Sequence, residues 1–387
     1  MCGKGPTPSS ARTGGGSSAQ RAPSLTLTRK PTWCAPKFSL AGVSVRIGEQ
    51  EIGPGHPPYV IAEIGVNHDG EVSRALQLTD AAADAGADAI KLQLFETDRL
   101  MSSAAKLAAY QKNAGETDPL AMLRRLELSI EEMSQVVDRA HERGIHAIAT
   151  VFSIELVVVA ERLGWDAYKS ASPDIINKPL LEAMAATGKP LIVSTGASEL
   201  DEVIRAADWL KGIRDRLAFL QCVSSYPAPE AALGGIGAIA HATGLPTGYS
   251  DHTPDIDTAS IAMHAGACMF EKHLTYDRTA AGPDHGASLE PFAMAGYVAT
   301  AKAGVCIEPP AGGEKSVLDC ERDVREVSRQ SVVTTQNLRA GDVVAHEMLT
   351  IKRPGTGLAP FELDEILGRK VARDVEADVP LCEEDLA

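Results

Sequence analysis

Residues 59–94 have the sequence YVIAEIGVNHDGEVSRALQLTDAAADAGADAIKLQL, in which two short apolar runs flank a segment with helical periodicity. Short apolar runs bounded in this way are typical of buried strands, and strand, helix and strand together make a parallel βαβ unit. The same alternation repeats eight times up to residue 303. The predicted strands span residues 59–64, 89–94, 146–151, 167–169, 191–194, 218–222, 247–249 and 268–272.

Eight such units predict an α/β fold, a closed (β/α)8 TIM barrel. Strict alternation makes the strands parallel, and the span from residue 59 to residue 303 is close to the ~250 residues typical of this fold. The helices have clear boundaries: Ser129 and Glu132 form a capping box before an apolar stripe that ends at Gly144. A doubly wound open sheet is the alternative fold, but no G-x-G-x-x-G motif follows the first strand.

The regions outside the strand and helix pattern predict the domain organisation. Residues 1–40 are basic and rich in Gly and Ser, which predicts a disordered leader, with an organelle transit peptide as the alternative. The barrel domain is assigned to residues 41–305, including a short N-terminal β-hairpin, and residues 306–326 are predicted to be a linker. Residues 327–387 are predicted to form a small β-rich domain with internal pseudo-symmetry, because two of its segments align at an offset of 37 residues.

The net charge of −15 narrows the range of partners. The first 48 residues carry seven basic side chains and no acidic one, so the rest of the chain is more acidic still. An acidic surface repels nucleic acid, and no apolar stretch approaches the ~18 residues that span a bilayer. We therefore expect a small-molecule ligand, with neither nucleic acid nor a membrane as partner. Seven cysteines without a C-x-x-C pair indicate reduced thiols and a cytoplasmic location.

Polar side chains are concentrated where the predicted strands end, which is where barrel enzymes have their active sites. Lys91 and Lys169 would lie in the barrel mouth among apolar neighbours, and a buried charge there needs a partner. We expect that partner to be an anionic ligand, a phosphate or carboxylate; pairing with a carboxylate of the protein is the alternative. Further polar residues at these ends are Gln93, Ser172, Ser194, Ser224, Tyr226 and Ser250.

His252 and His273 follow two neighbouring strands, so both imidazoles can reach one point above the mouth. Two histidines with open positions suit a divalent metal that acts as a Lewis acid on a carbonyl, and the adjacent Asp251 and Glu271 are expected to orient the rings. Two hydrogen-bonded core histidines are the alternative. Glu63, at the end of the first strand, is a candidate base, because partial burial would raise its pKa.

At these residues the chain resembles the sialic acid synthase family, from about residue 59 to residue 387. The last part resembles the antifreeze-like (SAF) domain of that family. The matching motifs are AEIGVNHDG (62–70), KLQLF (91–95), YQK (110–112), KSASPD (169–174), STGAS (194–198), CVSSYPAP (222–229), GYSDHT (248–253), EKHLT (271–275), GPDHGASLEP (282–291) and KRPGTGLAP (352–360).

The resemblance implies a synthase that condenses phosphoenolpyruvate with the aldehyde of N-acetylmannosamine or a related amino sugar. Water would add at C2, and phosphate would leave by carbon–oxygen cleavage. Mn or Mg would be bound by His252 and His273, Glu63 would activate water, and Asp284 would bind sugar hydroxyls. Substrate would otherwise be bound by Lys91, Gln93, Lys169, Ser172, Ser194, Ser224, Tyr226 and Ser250.

The resemblance also implies a domain-swapped homodimer. Arg353 matches the arginine that the antifreeze-like domain of one subunit inserts into the barrel of its partner, where it is counted among the catalytic residues.

Several functions stay open at this point. A legionaminate, pseudaminate or 9-phosphate-sialate synthase of the same family differs only in the sugar that supplies the aldehyde. A Schiff-base aldolase with Lys169 as nucleophile is a second enzyme alternative. A non-catalytic protein that binds ice or carbohydrate through its antifreeze-like domain is the alternative from another class.

Overall fold

A short hairpin precedes the barrel in the computed structural model, which describes residues 42–387; the predicted leader at residues 1–40 lies outside the described residues. Strands β1 (Val45–Ile47) and β2 (Gln50–Ile52) pair antiparallel. Their apolar side chains are buried with Tyr59 and other residues from the beginning of the barrel strands. The hairpin therefore covers the end of the barrel opposite to the carboxyl ends of the strands.

Eight parallel strands form a closed barrel, in which the last strand pairs with the first. The strands are β3 (Tyr59–Glu63), β4 (Ala89–Leu94), β5 (His146–Val151), β6 (Ala167–Ser170), β7 (Leu191–Ser194), β8 (Leu217–Cys222), β9 (Thr247–Asp251) and β10 (Met269–His273). The closed order confirms the predicted (β/α)8 barrel and excludes the open doubly wound sheet. Each predicted strand overlaps an observed one, and no boundary differs by more than two residues.

Helices surround the barrel and also cross its mouth. They are α1 (Val72–Asp84), α2 (Thr97–Leu100), α3 (Ala109–Asn113), α4 (Pro119–Leu126), α5 (Ile130–Glu142), α6 (Ile154–Ala160), α7 (Lys178–Ala186), α8 (Leu200–Trp209), α9 (Gly234–Thr243), α10 (Thr258–His264), α11 (Pro291–Ala301), α12 (Arg322–Ser328) and α13 (Leu363–Ile366). The predicted capping box begins α5: Ser129 Oγ accepts the Glu132 N–H at 3.2 Å, and the Glu132 carboxylate accepts the Ser129 N–H at 2.8 Å. Within residues 42–387, none of the helices has the length and apolar character needed to span a membrane.

The connection from β4 to β5 contains the three short helices α2, α3 and α4. The carboxylate of Asp118 accepts the N–H of Leu120 at 2.8 Å and so begins α4. The apolar side chains of this connection pack with others from the barrel mouth into one cluster, here called the apolar mouth cluster. Its members are Val66, Phe95, Leu100, Met101, Leu107, Met122, Leu123, Leu126 and Phe152.

The C-terminal domain contains the antiparallel pair β11 (Ser331–Thr334) and β12 (Leu349–Lys352). Leu338 and Val375, which occupy equivalent positions in the predicted repeat, bond to each other. The Leu338 N–H donates to the Val375 carbonyl at 2.8 Å, and the reverse bond measures 2.9 Å. The repeat residues Leu349 and Leu386 lie in the same apolar core. The two halves of the repeat therefore face each other and share one core.

Helix α12 and the residue that follows it fasten the C-terminal domain to the barrel. The Glu202 carboxylate of α8 accepts hydrogen bonds from Arg325 at 2.8 Å and from Arg329 at 2.6 Å. Burial alone would raise the pKa of Glu202, but the two arginines outweigh burial and lower it to about 2. A second contact joins Asn177 of the barrel to Gln330, whose side-chain oxygen accepts at 2.6 Å.

Candidate active site

The carboxyl ends of the barrel strands open into one cavity, as is general for this fold. Glu63 lies directly behind the lining of that cavity, fully buried against Lys91. The other residues predicted for the site line the cavity itself: Lys91, Gln93, Lys169, Ser172, Ser194, Ser224, Tyr226, Ser250, His252, His273, Asp284 and Arg353. The structure therefore brings the whole predicted set to one place.

Two lysines and two glutamates form a buried group at the base of the cavity, here called the lysine–glutamate group: Lys91, Lys169, Glu63 and Glu271. Lys91 pairs with Glu63 and has its Nζ 3.9 Å from Glu271 Oε2. Lys169 Nζ lies 3.4 Å from Glu271 Oε1. Carboxylate partners, the alternative considered for each lysine, are thus present, and the ammonium groups also face the open cavity.

Burial and neighbouring opposite charges shift the pKa values within the lysine–glutamate group in opposite directions. Burial disfavours the charge on Lys91, but Glu271 and Glu63 outweigh it and hold the pKa of Lys91 above its ordinary value. At Lys169 burial prevails over the attraction of Glu271, and the pKa is lowered. Glu271, placed between both lysines, keeps a pKa below its ordinary value despite burial. The charged forms of Lys91 and Glu271 are therefore favoured, and an entering anion can contact the lysines directly.

Glu63 has the properties of an acid–base group. Burial raises its pKa to about 7, although the ammonium of Lys91 pulls in the opposite direction. Gln93 orients the carboxyl group: its Nε2 donates to Glu63 Oε1 at 3.2 Å and to the Gly65 carbonyl at 2.9 Å. A carboxyl group with a pKa near neutrality can both accept and return a proton at physiological pH.

His252 and His273 meet above the lysine–glutamate group, with ring centroids 5.4 Å apart. His252 Nδ1 lies 2.8 Å from the Val223 carbonyl. Because a carbonyl only accepts, Nδ1 carries the hydrogen and the lone pair is on Nε2. Burial lowers the pKa of His273 well below its ordinary value, so this ring is neutral, and its buried Nδ1 has no hydrogen-bond partner in the described chain.

The two imidazoles fit a divalent metal with open coordination positions. His273 has an unpartnered ring nitrogen, and the Val223 carbonyl fixes the tautomer of His252, as the neighbours of metal-ligating histidines commonly do. Burial lowers the pKa of His252, but the Cys222 sulfur and the Val223 carbonyl outweigh burial and raise it, so metal and protons would compete for this ring as the pH falls. Residues 42–387 contain no cluster of three or more His, Cys, Asp or Glu suited to a metal, so water and substrate would supply the remaining ligands.

The expectation that Asp251 and Glu271 orient the two rings is wrong. Asp251 lies 3.3 Å from Lys272, and Glu271 belongs to the lysine–glutamate group. Successive side chains of a strand point to opposite faces, so Asp251 points away from the side that carries His252. Glu271 does share a face with His273, but the two lysines hold its carboxylate.

Three serine hydroxyls converge beside Gly196. The Gly196 N–H donates to Ser172 Oγ at 3.0 Å, and Ser172 Oγ donates to Ser194 Oγ at 3.0 Å. A Cβ at Gly196 would clash with Ser224 Oγ, so only glycine leaves room for this arrangement. Ser250 differs from the other three, since its hydroxyl donates to Glu271 at 2.9 Å. The three hydroxyls form a polar subsite next to Lys169, suited to the oxygens of an anion.

The opposite side of the cavity combines an aromatic ring with a carboxyl group. The Tyr226 ring lies 4.1 Å from the His252 ring and 4.8 Å from the Tyr110 ring, measured between centroids. Asp284 Oδ2 lies 3.7 Å from His273 Nδ1. Burial raises the pKa of Asp284 to about 6. Tyr226 and Asp284 can thus offer a flat apolar face and a hydrogen-bonding group to a second substrate.

Arg353 enters the cavity from the C-terminal domain of the same chain. Its N–H donates to the Leu100 carbonyl at 2.8 Å, its carbonyl accepts the Ser102 N–H at 3.0 Å, and its guanidinium lies 5.5 Å from the centre of the Phe152 ring. Within the single chain, Arg353 lines the cavity of its own barrel. The expected domain swap, in which Arg353 enters the barrel of a partner, stays a prediction.

Sequence reasoning missed several residues of the cavity. Glu271 was considered only as an orienting acid; its position two residues before His273 could have placed it on the inner face of the barrel. Thr150, whose hydroxyl accepts from Lys91 at 3.1 Å, carries no motif. The apolar wall from the β4–β5 connection could have been found from the stripe of Met122, Leu123 and Leu126 in α4.

Comparisons with known proteins agree with this architecture. A model of the NeuB family matches residues 78–304, and a model of the SAF domain matches residues 329–387. The N,N'-diacetyllegionaminic acid synthase of Legionella pneumophila is 36% identical over 337 residues, covering 85% of this chain and 94% of that protein. The N-acetylneuraminate-9-phosphate synthase of Mus musculus is 32% identical over 348 residues, covering 87% and 94%. The solved structure of the spore coat polysaccharide biosynthesis protein SpsE from Bacillus subtilis matches with a TM-score of 0.75 at 27% identity, covering 89% of this chain and 99% of that one.

Proposed function

This chain belongs to the NeuB family, and from that premise we propose that it joins phosphoenolpyruvate to the aldehyde of N-acetylmannosamine or a related amino sugar, with release of phosphate. Two of the relatives reported above are an N,N'-diacetyllegionaminic acid synthase and an N-acetylneuraminate-9-phosphate synthase. The observation that carries the proposal is the lysine–glutamate group lying beneath a pair of histidines at one barrel mouth. This arrangement offers an anion site and a carbonyl site side by side.

Phosphoenolpyruvate is proposed to bind at the lysine side of the cavity. Lys91 and Lys169 would contact its carboxylate and phosphate, and the hydroxyls of Ser172, Ser194 and Ser224 would donate to the phosphate oxygens. Ser250 would act indirectly, because its hydroxyl already bonds to Glu271. The low dielectric of a buried site strengthens each of these contacts.

His252 and His273 would hold a divalent metal, Mn or Mg. When bound, the metal would supply Lewis-acid polarisation of the sugar aldehyde. Asp284 is proposed to hold sugar hydroxyls so that the aldehyde carbon faces C3 of phosphoenolpyruvate. Arg353 would contact the acyl group of the amino sugar from above.

The residues of the chain then support a balanced reaction. The double-bond electrons of phosphoenolpyruvate form the new bond from C3 to the aldehyde carbon, and the aldehyde oxygen becomes a hydroxyl. Lys91 and Lys169 stabilise the negative charges of the phosphate and carboxylate while C2 becomes electron-poor. Glu63, with a pKa of about 7, takes a proton from the water that adds at C2. The bond from C2 to the phosphate oxygen then breaks, phosphate leaves, and the hydroxyl added at C2 loses its proton to become a ketone. The two protons of the water end on the former aldehyde oxygen and on the released phosphate, so the reaction balances.

The charges around the cavity favour a neutral sugar over a sugar phosphate. Among the described residues, the lysine and arginine side chains of the lining are Lys91, Lys169 and Arg353. The lysines are needed for phosphoenolpyruvate, which leaves Arg353. A sugar 6-phosphate would bring about two further negative charges into a cavity in which Arg353 is the one such side chain left to meet them. The apolar mouth cluster instead suits the methyl groups of N-acyl substituents.

We also propose a cytoplasmic, domain-swapped homodimer. The described cysteines are all free thiols, which fits a reducing compartment. The dimer and its domain swap rest on the resemblance to the sialic acid synthases; the swap would replace the intrachain placement of Arg353 with the equivalent contact from a partner.

A phosphate-release assay tests the proposal. The purified chain is incubated with phosphoenolpyruvate, Mn and one sugar at a time: N-acetylmannosamine, its 6-phosphate, mannose 6-phosphate, or a diacetamido trideoxyhexose precursor of legionaminic or pseudaminic acid. We expect phosphate release with a neutral amino sugar and a product mass equal to the sum of sugar and pyruvate. Release with phosphorylated sugars alone would overturn the argument for a neutral sugar. Borohydride trapping of a substrate on Lys169, with activity that survives EDTA, would favour the Schiff-base aldolase.

A further inference from the structure

Glu321 is a buried carboxylate in the linker that lies outside the site described above. It ends a short 3₁₀ turn, Asp319–Glu321, directly before α12, and is 1% exposed. Glu321 Oε1 accepts the N–H of Ala197 at 2.6 Å and the N–H of Ser224 at 2.7 Å. Its other oxygen accepts the N–H of Leu318 at 3.0 Å. One carboxylate oxygen thus joins two loops of the barrel to the linker.

Those two loops border the serine subsite. Ala197 directly follows Gly196, whose N–H bonds to Ser172, and Ser224 supplies the third hydroxyl of the subsite. The spacing between the loops is narrow, since even a methyl group at Gly196 would clash with Ser224 Oγ. A small separation of the loops would therefore pull the hydroxyls apart.

Ala197 also needs to be held in place. Its φ of 50° lies in the left-handed region, which is unfavourable for a residue with a side chain. Glu321 accepts its N–H, and Arg325 of α12 donates to its carbonyl at 2.5 Å. The segment that leads into the C-terminal domain therefore fixes both polar groups of this residue.

The buried negative charge of Glu321 near an anion subsite indicates that this side chain has a specific function. A carboxylate near an anion subsite repels the anion, and a buried charge is unfavourable unless it is well hydrogen-bonded. The buried Lys315 has Glu321 as its principal charged neighbour, although its Nζ makes no hydrogen bond within the described chain. Glu321 does not line the cavity, so it acts through the two loops rather than on substrate.

We propose that Glu321 is a positioning residue for phosphate binding: it holds the loops after β7 and β8 at the spacing that the phosphate of phosphoenolpyruvate requires, and it couples that spacing to the seating of the linker and the C-terminal domain. This inference rests on the proposed function for the identity of the anion. It assigns the linker a role in substrate binding in addition to connecting two domains.

Calorimetric titration of the full chain with phosphoenolpyruvate in the presence of Mn tests this role without requiring turnover. Loss of the two charge-assisted bonds in Glu321→Ala is expected to weaken phosphoenolpyruvate binding by about tenfold or more. Glu321→Gln, which keeps an accepting oxygen at the same reach, is expected to recover most of the affinity, whereas Glu321→Asp, one methylene shorter, is not. Glu314→Ala, an exposed glutamate of the same linker, is the matched control and is expected to bind as the parent chain does.

Phosphoenolpyruvate binding by the parent chain tests the proposed function, and binding by the Glu321 variants tests the positioning role. If the parent chain fails to bind phosphoenolpyruvate, the proposed function fails. If the parent binds and Glu321→Ala binds equally well, the positioning role is refuted. In the steady state the role predicts a raised KM for phosphoenolpyruvate with the KM for the sugar unchanged within about twofold. A lower unfolding temperature in all three Glu321 variants, with unchanged KM values, would mean that Glu321 serves stability alone.

Discussion

The substitution Glu63→Gln removes the proposed base while keeping its size and its place beside Gln93. The change leaves the fold largely intact, because Lys91 retains Glu271 at 3.9 Å and Thr150 at 3.1 Å as neighbours. We expect the free energy of unfolding to fall by only about 1–2 kcal/mol, the scale of one lost buried interaction. A positioned general base contributes roughly 10²–10⁴ to the rate, which corresponds to about 3–5 kcal/mol of barrier.

The assay is phosphate release under saturating and limiting phosphoenolpyruvate, together with thermal unfolding. We expect kcat to fall by roughly 10²- to 10⁴-fold. The KM for phosphoenolpyruvate is expected to stay equal or to decrease, since Lys91 loses a competing carboxylate. Glu131→Gln, the same exchange at an exposed position in the first turn of α5, is the control and is expected to leave both constants unchanged. A kcat within tenfold of the parent value would refute the assignment of Glu63 as the base.

Three further predictions follow from other parts of the chain. Treatment with EDTA, or the substitution His252→Ala, is expected to abolish phosphate release; added Mn should restore the EDTA-treated chain but not the variant, and activity that persists in EDTA would contradict the metal site. Arg353→Ala is expected to lower kcat by about 10- to 100-fold without unfolding the barrel; mixing it with the His252→Ala chain is expected to restore part of the activity through exchanged domains, and a complete absence of recovery would count against the swap. Glu202→Gln is expected to lower the free energy of unfolding by about 3 kcal/mol, because it leaves Arg329 buried without its carboxylate, and denaturant titration measures this. Since the pKa of Glu202 is lowered to about 2, its stabilisation is complete above its ordinary value of 4.5 and is lost as the pH falls towards 2; equal acid sensitivity of parent and variant would contradict this.

The barrel could be predicted from the sequence because its strands are short, apolar and separated by helical segments of regular length. The position of the site followed from the same pattern, since parallel strands bring their carboxyl ends together. Lys91 and His273 could therefore be placed in one cavity from sequence alone. The capping box at Ser129 could also be predicted, since it depends on residues close together in the chain.

Other features depend on contacts that a linear pattern does not contain. Helices α2 and α3 are only four and five residues long, too short for a periodic signal. Glu321 gains its role from bonds to residues more than 90 positions away in the chain. The pairing of Glu271 with two lysines also arises only after the barrel closes. Packing between distant segments determines these details, whereas local patterns determine the barrel.

The fate of the bridging oxygen of phosphoenolpyruvate shows which of its two bonds the enzyme breaks. Phosphoenolpyruvate labelled with a heavy oxygen isotope between C2 and phosphorus is converted with the sugar that supports phosphate release, and both products are analysed by mass spectrometry. The proposed mechanism predicts that the label leaves with inorganic phosphate, because water adds at C2 and the C2–oxygen bond breaks. Retention of the label in the sugar acid, or a chain that releases no phosphate with any amino-sugar aldehyde, would contradict it.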